Sequence, residues 1–130
     1  MHIESIRQRK LADQIMHQVS LIINRKLKDP RKGFVTVTHV KVSGDLRIAN
    51  IYYTTLGNQE QRQRSQTALN HAKSFIRSEM APQLHIRYIP ELRFFYDESG
   101  DYSQHIESLL QKIKKDKTRE NETATDGEEV

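Results

Sequence analysis

The sequence predicts an α+β domain: a mixed three-stranded sheet with helices packed on one face and the other face open. Three observations carry this. An amphipathic stretch of helical period opens the chain, two β-rich runs joined by a turn follow, and a third β-rich run comes only after a further helical stretch. A turn makes the first two strands antiparallel. A helical crossover makes the third parallel to the second, by a right-handed connection.

Residues 5–28 read as the first helix. At about 100° per residue, Leu11, Ala12, Ile15, Met16, Val19, Ile22, Ile23 and Leu27 share one side, opposite Arg7, Lys10, His17, Arg25 and Lys28. Asp29-Pro30 is the expected stop, because proline disfavours helical geometry in the residue before it. The run 34–42 and the run 46–56 are rich in β-branched and aromatic residues, and Ser43-Gly44-Asp45 between them is a turn signal. In the first run the apolar parity shifts from Val35 and Val37 to Val40 and Val42, which marks a β-bulge.

Asn58 is a candidate cap for a second helical stretch that carries Ala68, Leu69, Ala72, Phe75, Ile76 and Met80 on one face and ends at Pro82. The third strand is expected over 85–96, with Ile86, Tyr88, Leu92, Phe94 and Tyr96 on its buried face. Pro90 marks it as an edge or bulged strand, since proline cannot donate to a ladder. A short last helix, 101–115, places Ile106, Leu109, Leu110 and Ile113 together. The order is αββααβ plus this C-terminal helix. Residues 1–115 form the expected domain. Residues 116–130 hold almost nothing apolar and are expected to be a disordered acidic tail, dispensable for folding.

The chain has 130 residues and a net charge of +4, which hides an asymmetry. Residues 116–130 carry two basic against six acidic side chains, leaving +8 on residues 1–115. A basic body suits a polyanionic partner. There is no cysteine, so disulfides, thiolate metal sites and cysteine nucleophiles are excluded. No apolar run reaches a membrane span and no signal-peptide core is present, so a soluble cytoplasmic protein is expected. The five glycines form neither a P-loop nor a dinucleotide fingerprint, and the six histidines make no HxxxH pair. No carboxylate pair or nucleophile elbow stands out, so no catalytic activity, cofactor or metal is expected.

The cations therefore carry the functional reading. Arg25, Lys28, Arg31 and Lys32 cluster where the first helix meets the first strand, and Lys26 lies among them. A helix C-terminus attracts cations through its dipole, which accounts for those on the helix but not for Arg31 and Lys32. Arg7 and Lys10 extend the group along the same helix face. Lys73 and Arg77, spaced i,i+4, repel slightly when alone, and a facing anion would remove that penalty; the spacing by itself favours two solvated surface residues, with a second contact as the alternative. These eight residues are the candidate RNA-binding set.

The stretch Asp29-Pro30-Arg31-Lys32-Gly33-Phe34-Val35-Thr36-Val37-Thr38 resembles the ribosome-binding factor A family. So do Val42-Ser43-Gly44-Asp45-Leu46, Ala49-Asn50-Ile51-Tyr52 and Pro90-Glu91-Leu92-Arg93-Phe94-Phe95-Tyr96-Asp97-Glu98-Ser99. The opening Arg7-Gln8-Arg9-Lys10-Leu11-Ala12-Asp13-Gln14-Ile15 is similar to the family's start, and the resemblance spans residues 5–113. It implies a type II KH-like fold and a non-catalytic assembly factor, a monomer. Such a factor binds the free small (30S) ribosomal subunit or its precursor, helps 16S rRNA mature at its 5′ end, and supports growth in the cold. One position departs from the pattern. The family carries Ala-x-Gly at the kink between its two central helices, and here Ala72-Lys73-Ser74 stands there. With no GxxG loop in the chain, recognition through phosphates and RNA shape is expected rather than a KH-type grip on four nucleotides.

Two other classes compete with this reading. A protein adaptor would need an exposed apolar patch and would bind with rRNA as a poor competitor. A structural ribosomal protein would stay on mature subunits through high-salt washes.

Overall fold

A computed structural model describes residues 3–99 and 109–113. The chain divides into two units, Met1–Asp97 and Glu98–Val130. In the first unit, helix α1 (Ile6–Arg25) leads through a 3-10 turn (Pro30–Lys32) into strands β1 (Val35–Val42) and β2 (Ile48–Thr55). Helix α2 (Gln59–Leu84) and strand β3 (Glu91–Tyr96) follow. In the second unit residues 109–113 are helical. The rest of the expected last helix and the segment 116–130 lie outside the described residues.

The sheet order is β1-β2-β3, antiparallel between β1 and β2 and parallel between β2 and β3, as the connections require. β3 is an edge strand. The bulge falls where the parity shift puts it: the register slips between Val37 and His39, so Val35, Val37, Val40 and Val42 all face the helices. Ser43 organises the hairpin turn by accepting from the Arg47 and Ile48 amides. Leu46, rather than Gly44, takes the left-handed conformation there, at φ 61°.

The core lies between one sheet face and the two helices. Ile15, Val19 and Ile23 of α1, Ile51 and Tyr53 of β2, and Leu69, Ile76 and Met80 of α2 are wholly buried. A capping box starts α1: the Ser5 hydroxyl accepts from the Gln8 amide, and the Gln8 side chain accepts from the Ser5 amide. Gln8 is also buried and donates to the Val42 carbonyl (2.9 Å), tying the start of α1 to the end of β1.

Four boundaries differ from the expected ones. α1 ends at Arg25, not at 28, because the Lys26 and Leu27 amides both donate to the Ile22 carbonyl and close the helix early. Asp29-Pro30 instead starts the 3-10 turn, with proline at its first position. The two central helices are one continuous helix: Ser74 carries no break, and Pro82 sits in the last turn, where its missing N–H costs only the bond to the Ser78 carbonyl. α2 stops two residues later, with His85 left-handed as its cap. The third strand starts at Glu91, whose amide donates to the Arg47 carbonyl (2.8 Å), so 85–90 is a connection, exposed over 85–88 and buried at Pro90. Ile86 and Tyr88 are therefore on the surface, not in the core, and Phe75 is also exposed at the margin of the α2 face.

Tyr53 yields a testable consequence. Its hydroxyl donates to the Gln66 side chain, and burial pushes the phenol up to about 12. The folded state then holds a proton that the unfolded chain releases near pH 10, so this residue's contribution to stability falls between pH 10 and pH 12. Alkaline melts of the wild type are expected to lose stability more steeply over that window than Tyr53→Phe. Parallel curves would contradict a buried phenol.

Candidate nucleic-acid interface

The eight cations read from the sequence come from α1, α2 and the turn between α1 and β1. That turn is held rigidly. The Asp29 carboxylate accepts from the Arg31 amide (2.9 Å), and α2 clamps the turn from the other side. The Gln61 side-chain Nε2 donates to the Arg31 carbonyl (3.1 Å), and the Ser65 hydroxyl to the Lys32 carbonyl (2.7 Å). Gly33 leaves the turn at φ 61° and ψ −148°, a conformation that only glycine adopts readily. A Cβ there would lie 2.6 Å from Gln61 Nε2.

Arg25, Lys28 and Lys32 have no carboxylate partner among the described residues. Arg25 and Lys28 are exposed. Lys32 is half-buried and lines a groove of about 520 Å³ with Ser20, Asn24 and Phe34. Their neighbours are engaged. Lys26 pairs with Glu79 (3.2 Å), and Arg31 forks onto Asp29 through Nε (3.0 Å) and Nη2 (2.7 Å). The hydrogen bonds from the Arg31 guanidinium, then that from its amide, hold the Asp29 carboxyl down at about 2. The pair therefore persists across the physiological range and opens only as pH falls through about 2. Asp29→Asn keeps an acceptor for the Arg31 amide and releases the guanidinium. RNA affinity is expected to rise severalfold near ~0.1 M salt, and the salt slope to steepen by about one phosphate contact. An unchanged slope would remove Arg31 from the interface.

The other predicted residues lie elsewhere. Arg7 is 18 residues before Arg25 on α1, about 27 Å along its axis, so the eight do not make one patch. Lys10 is exposed one turn beyond Arg7. Arg7 instead shares a cavity of about 230 Å³ with Arg47 and Arg87. A larger hollow of about 810 Å³ brings Arg47, Arg77 and Arg87 together around Tyr88, with Asp45 and Glu91 on its rim. The Arg47 guanidinium lies 4.4 Å from the Tyr88 ring centroid and that of Arg87 5.4 Å. Arg77 has structural work: its Nε and Nη2 donate to the carbonyls of Pro90 (3.2 Å) and Ile89 (2.7 Å), fastening the 85–90 connection to α2. Lys73, one turn earlier, is half-buried.

Arg47, Arg87 and Tyr88 are therefore additions that the sequence reading missed. The available signal was the pair Pro82 and Pro90, which brackets an eight-residue spacing better suited to an exposed connection than to a strand. Guanidinium groups over an exposed tyrosine suit phosphate oxygens and stacked bases. Among the described residues, no three His, Cys, Asp or Glu side chains converge as a metal site, and no helix is long and apolar enough to cross a membrane.

Together these features define a class: a small α+β domain of KH-like type, with cations at both ends of its first helix. Residues 7–110 match the profile of ribosome-binding factor A. Ribosome-binding factor A of Macrococcus caseolyticus (strain JCSC5402) is 44% identical over 113 residues, covering 87% of this chain and 99% of that relative. The chain belongs to the ribosome-binding factor A family. The solution NMR structure of a Thermotoga maritima protein described as a putative ribosome binding factor A is similar at a TM-score of 0.61 and 31% identity, over 76% of this chain and 94% of that one. Coordinates of the Thermus thermophilus ribosome binding factor A, as fitted into the cryo-EM map of a 30S complex, are similar in fold at a TM-score of 0.56. There the identity is 24%, over 67% of this chain and 91% of that one.

Proposed function

We propose that this protein is a non-catalytic ribosome assembly factor that binds the small (30S) subunit or its precursor as a monomer. In this reading it assists maturation of 16S rRNA at its 5′ end, a role that matters most in the cold. Residues 1–115 make the contact, and the acidic segment 116–130 is a tail outside it. The main footprint is Arg25, Lys28, Arg31 and Lys32. Arg7 and Lys10 extend it, Lys73 and Arg77 make the second contact, and Arg47 and Arg87 join that second region.

One observation carries this reading: Arg7 and Lys10 at one end of α1, and Arg25 and Lys28 at the other, stand without carboxylate partners among the described residues, on a body of charge +8. Such cations displace counterions from a polyanion, a gain that a purely structural role would leave unused. The fit of a T. thermophilus relative into a 30S complex supports the small subunit as that polyanion. The test is co-sedimentation of the full chain with purified precursor and mature small subunits. Pelleting with either one, competed by rRNA, is the expected result. Pelleting that rRNA does not compete, or none at all, would contradict it.

A further inference from the structure

We propose that the open face of the sheet is a separate binding surface for single-stranded RNA, on which unpaired bases stack while their phosphates meet Lys41 and Arg93. The proposal rests on the RNA-binding reading above but uses a different face of the molecule and a different chemistry.

The face is built by the bulge. Without the slip at Thr38, His39 would point toward the helices. With it, His39 stands opposite Tyr52, and Tyr52 is in register with Phe95. One residue from each strand thus forms an aromatic row across the sheet. Ring centroids are 5.9 Å apart for His39 and Tyr52 and 5.7 Å for Tyr52 and Phe95, tilted by 33° and 30°. The core does not need this row: the helices cover the opposite face, His39 is exposed, and Phe95 is 43% exposed. A cross-strand aromatic pair does stabilise a sheet modestly. That benefit needs only two rings and does not require them to stay uncovered.

The next row on the same face, about 7 Å along the strands, is Lys41, Asn50 and Arg93. The two cations flank the central strand. Asn50 Oδ1 is buried there without a hydrogen-bond partner, an acceptor suited to a base amino group. Three carboxylates lie nearby: Glu4 is 4.0 Å from Arg9, Asp97 accepts from the Thr38 hydroxyl, and Glu91 pairs with Arg93 (2.9 Å) in a solvent-exposed contact that a phosphate can displace. A groove of about 680 Å³ runs along this row past Lys41, Asn50, Tyr52 and Arg93. Aromatic rings beside cations on an open sheet match the π-face and charge of an unpaired nucleotide. A duplex, whose bases are already stacked on each other, offers no such face.

The test uses the full chain and short single-stranded RNA, hexamers of adenosine or uridine, with one base replaced by fluorescent 2-aminopurine. A blunt RNA duplex serves as the comparison. Wild type is expected to bind the single strands and quench the 2-aminopurine. The pair Tyr52→Leu and Phe95→Leu should weaken single-strand binding at least tenfold and abolish the quenching, with an unchanged salt slope, because stacking releases no counterions. Tyr52→Phe, which keeps the ring, should stay within about twofold of wild type, and a thermal melt confirms that each variant is folded. Equal single-strand binding by wild type and the folded leucine pair overturns the proposal, whether that binding is tight or absent. A wild-type dimer that the leucine pair converts to monomer also overturns it, making the face a self-association surface. If wild type still pellets with small subunits in either case, only the sheet proposal falls. If wild type never pellets, the proposed function falls on its own account.

Discussion

Reversal of Arg25, Lys28 and Lys32 to glutamate is expected to weaken binding to small subunits roughly a hundredfold or more near ~0.1 M salt, with little change in the melting temperature. All three lack carboxylate partners among the described residues, so removing their charge breaks no ion pair. Each reversal removes a site of counterion release and adds a repulsion toward phosphate, and the salt slope should flatten by about three contacts. Arg31 is left out because its guanidinium is held by Asp29, so its reversal would disturb the 3-10 turn as well as the surface. The measurement is a pelleting titration at several salt concentrations beside a thermal melt. A variant that binds normally, with an unaltered slope, would move the footprint to the Arg47 and Arg87 end.

Ile51→Ala is expected to be the most damaging single change to the fold, costing about 2–5 kcal/mol. Ile51 sits at the middle of the central strand, fully buried, paired with Val40 on one side and Phe94 on the other. Truncation leaves a cavity that neither hydrogen-bonded neighbour can collapse into without shifting the sheet. For a domain near 100 residues each kcal/mol moves the midpoint by roughly 4–8 °C, so a fall of at least about 10 °C is expected by circular dichroism. A fall of only a degree or two would place the core elsewhere.

Burial periodicity made most of this fold legible. The α1 face reads off directly, and the parity shift in β1 located its bulge because only an inserted residue lets Val37 and Val40 face the same way. Helix ends were less legible, since they depend on which carbonyl the last amides find. Nothing local announces that Lys26 and Leu27 share the Ile22 carbonyl, or that Pro82 can end its days in a last turn. The candidate site was legible as a list of charges but not as a set of partners. Arg31 and Arg77 look alike in sequence to Arg25 and Arg87. Only the folded chain shows that Arg31 is held by Asp29 and Arg77 by two carbonyls of the 85–90 connection. Tyr88 has the parity of a core residue, and its exposure follows from β3 starting after Pro90.

The most direct test of the central claim, that a basic surface carries this protein onto small-subunit rRNA, is the dissociation constant for purified small subunits measured across a salt series. The account predicts that the logarithm of affinity falls linearly with the logarithm of salt, with a slope that reports several phosphate contacts. An affinity that does not change with salt would contradict it.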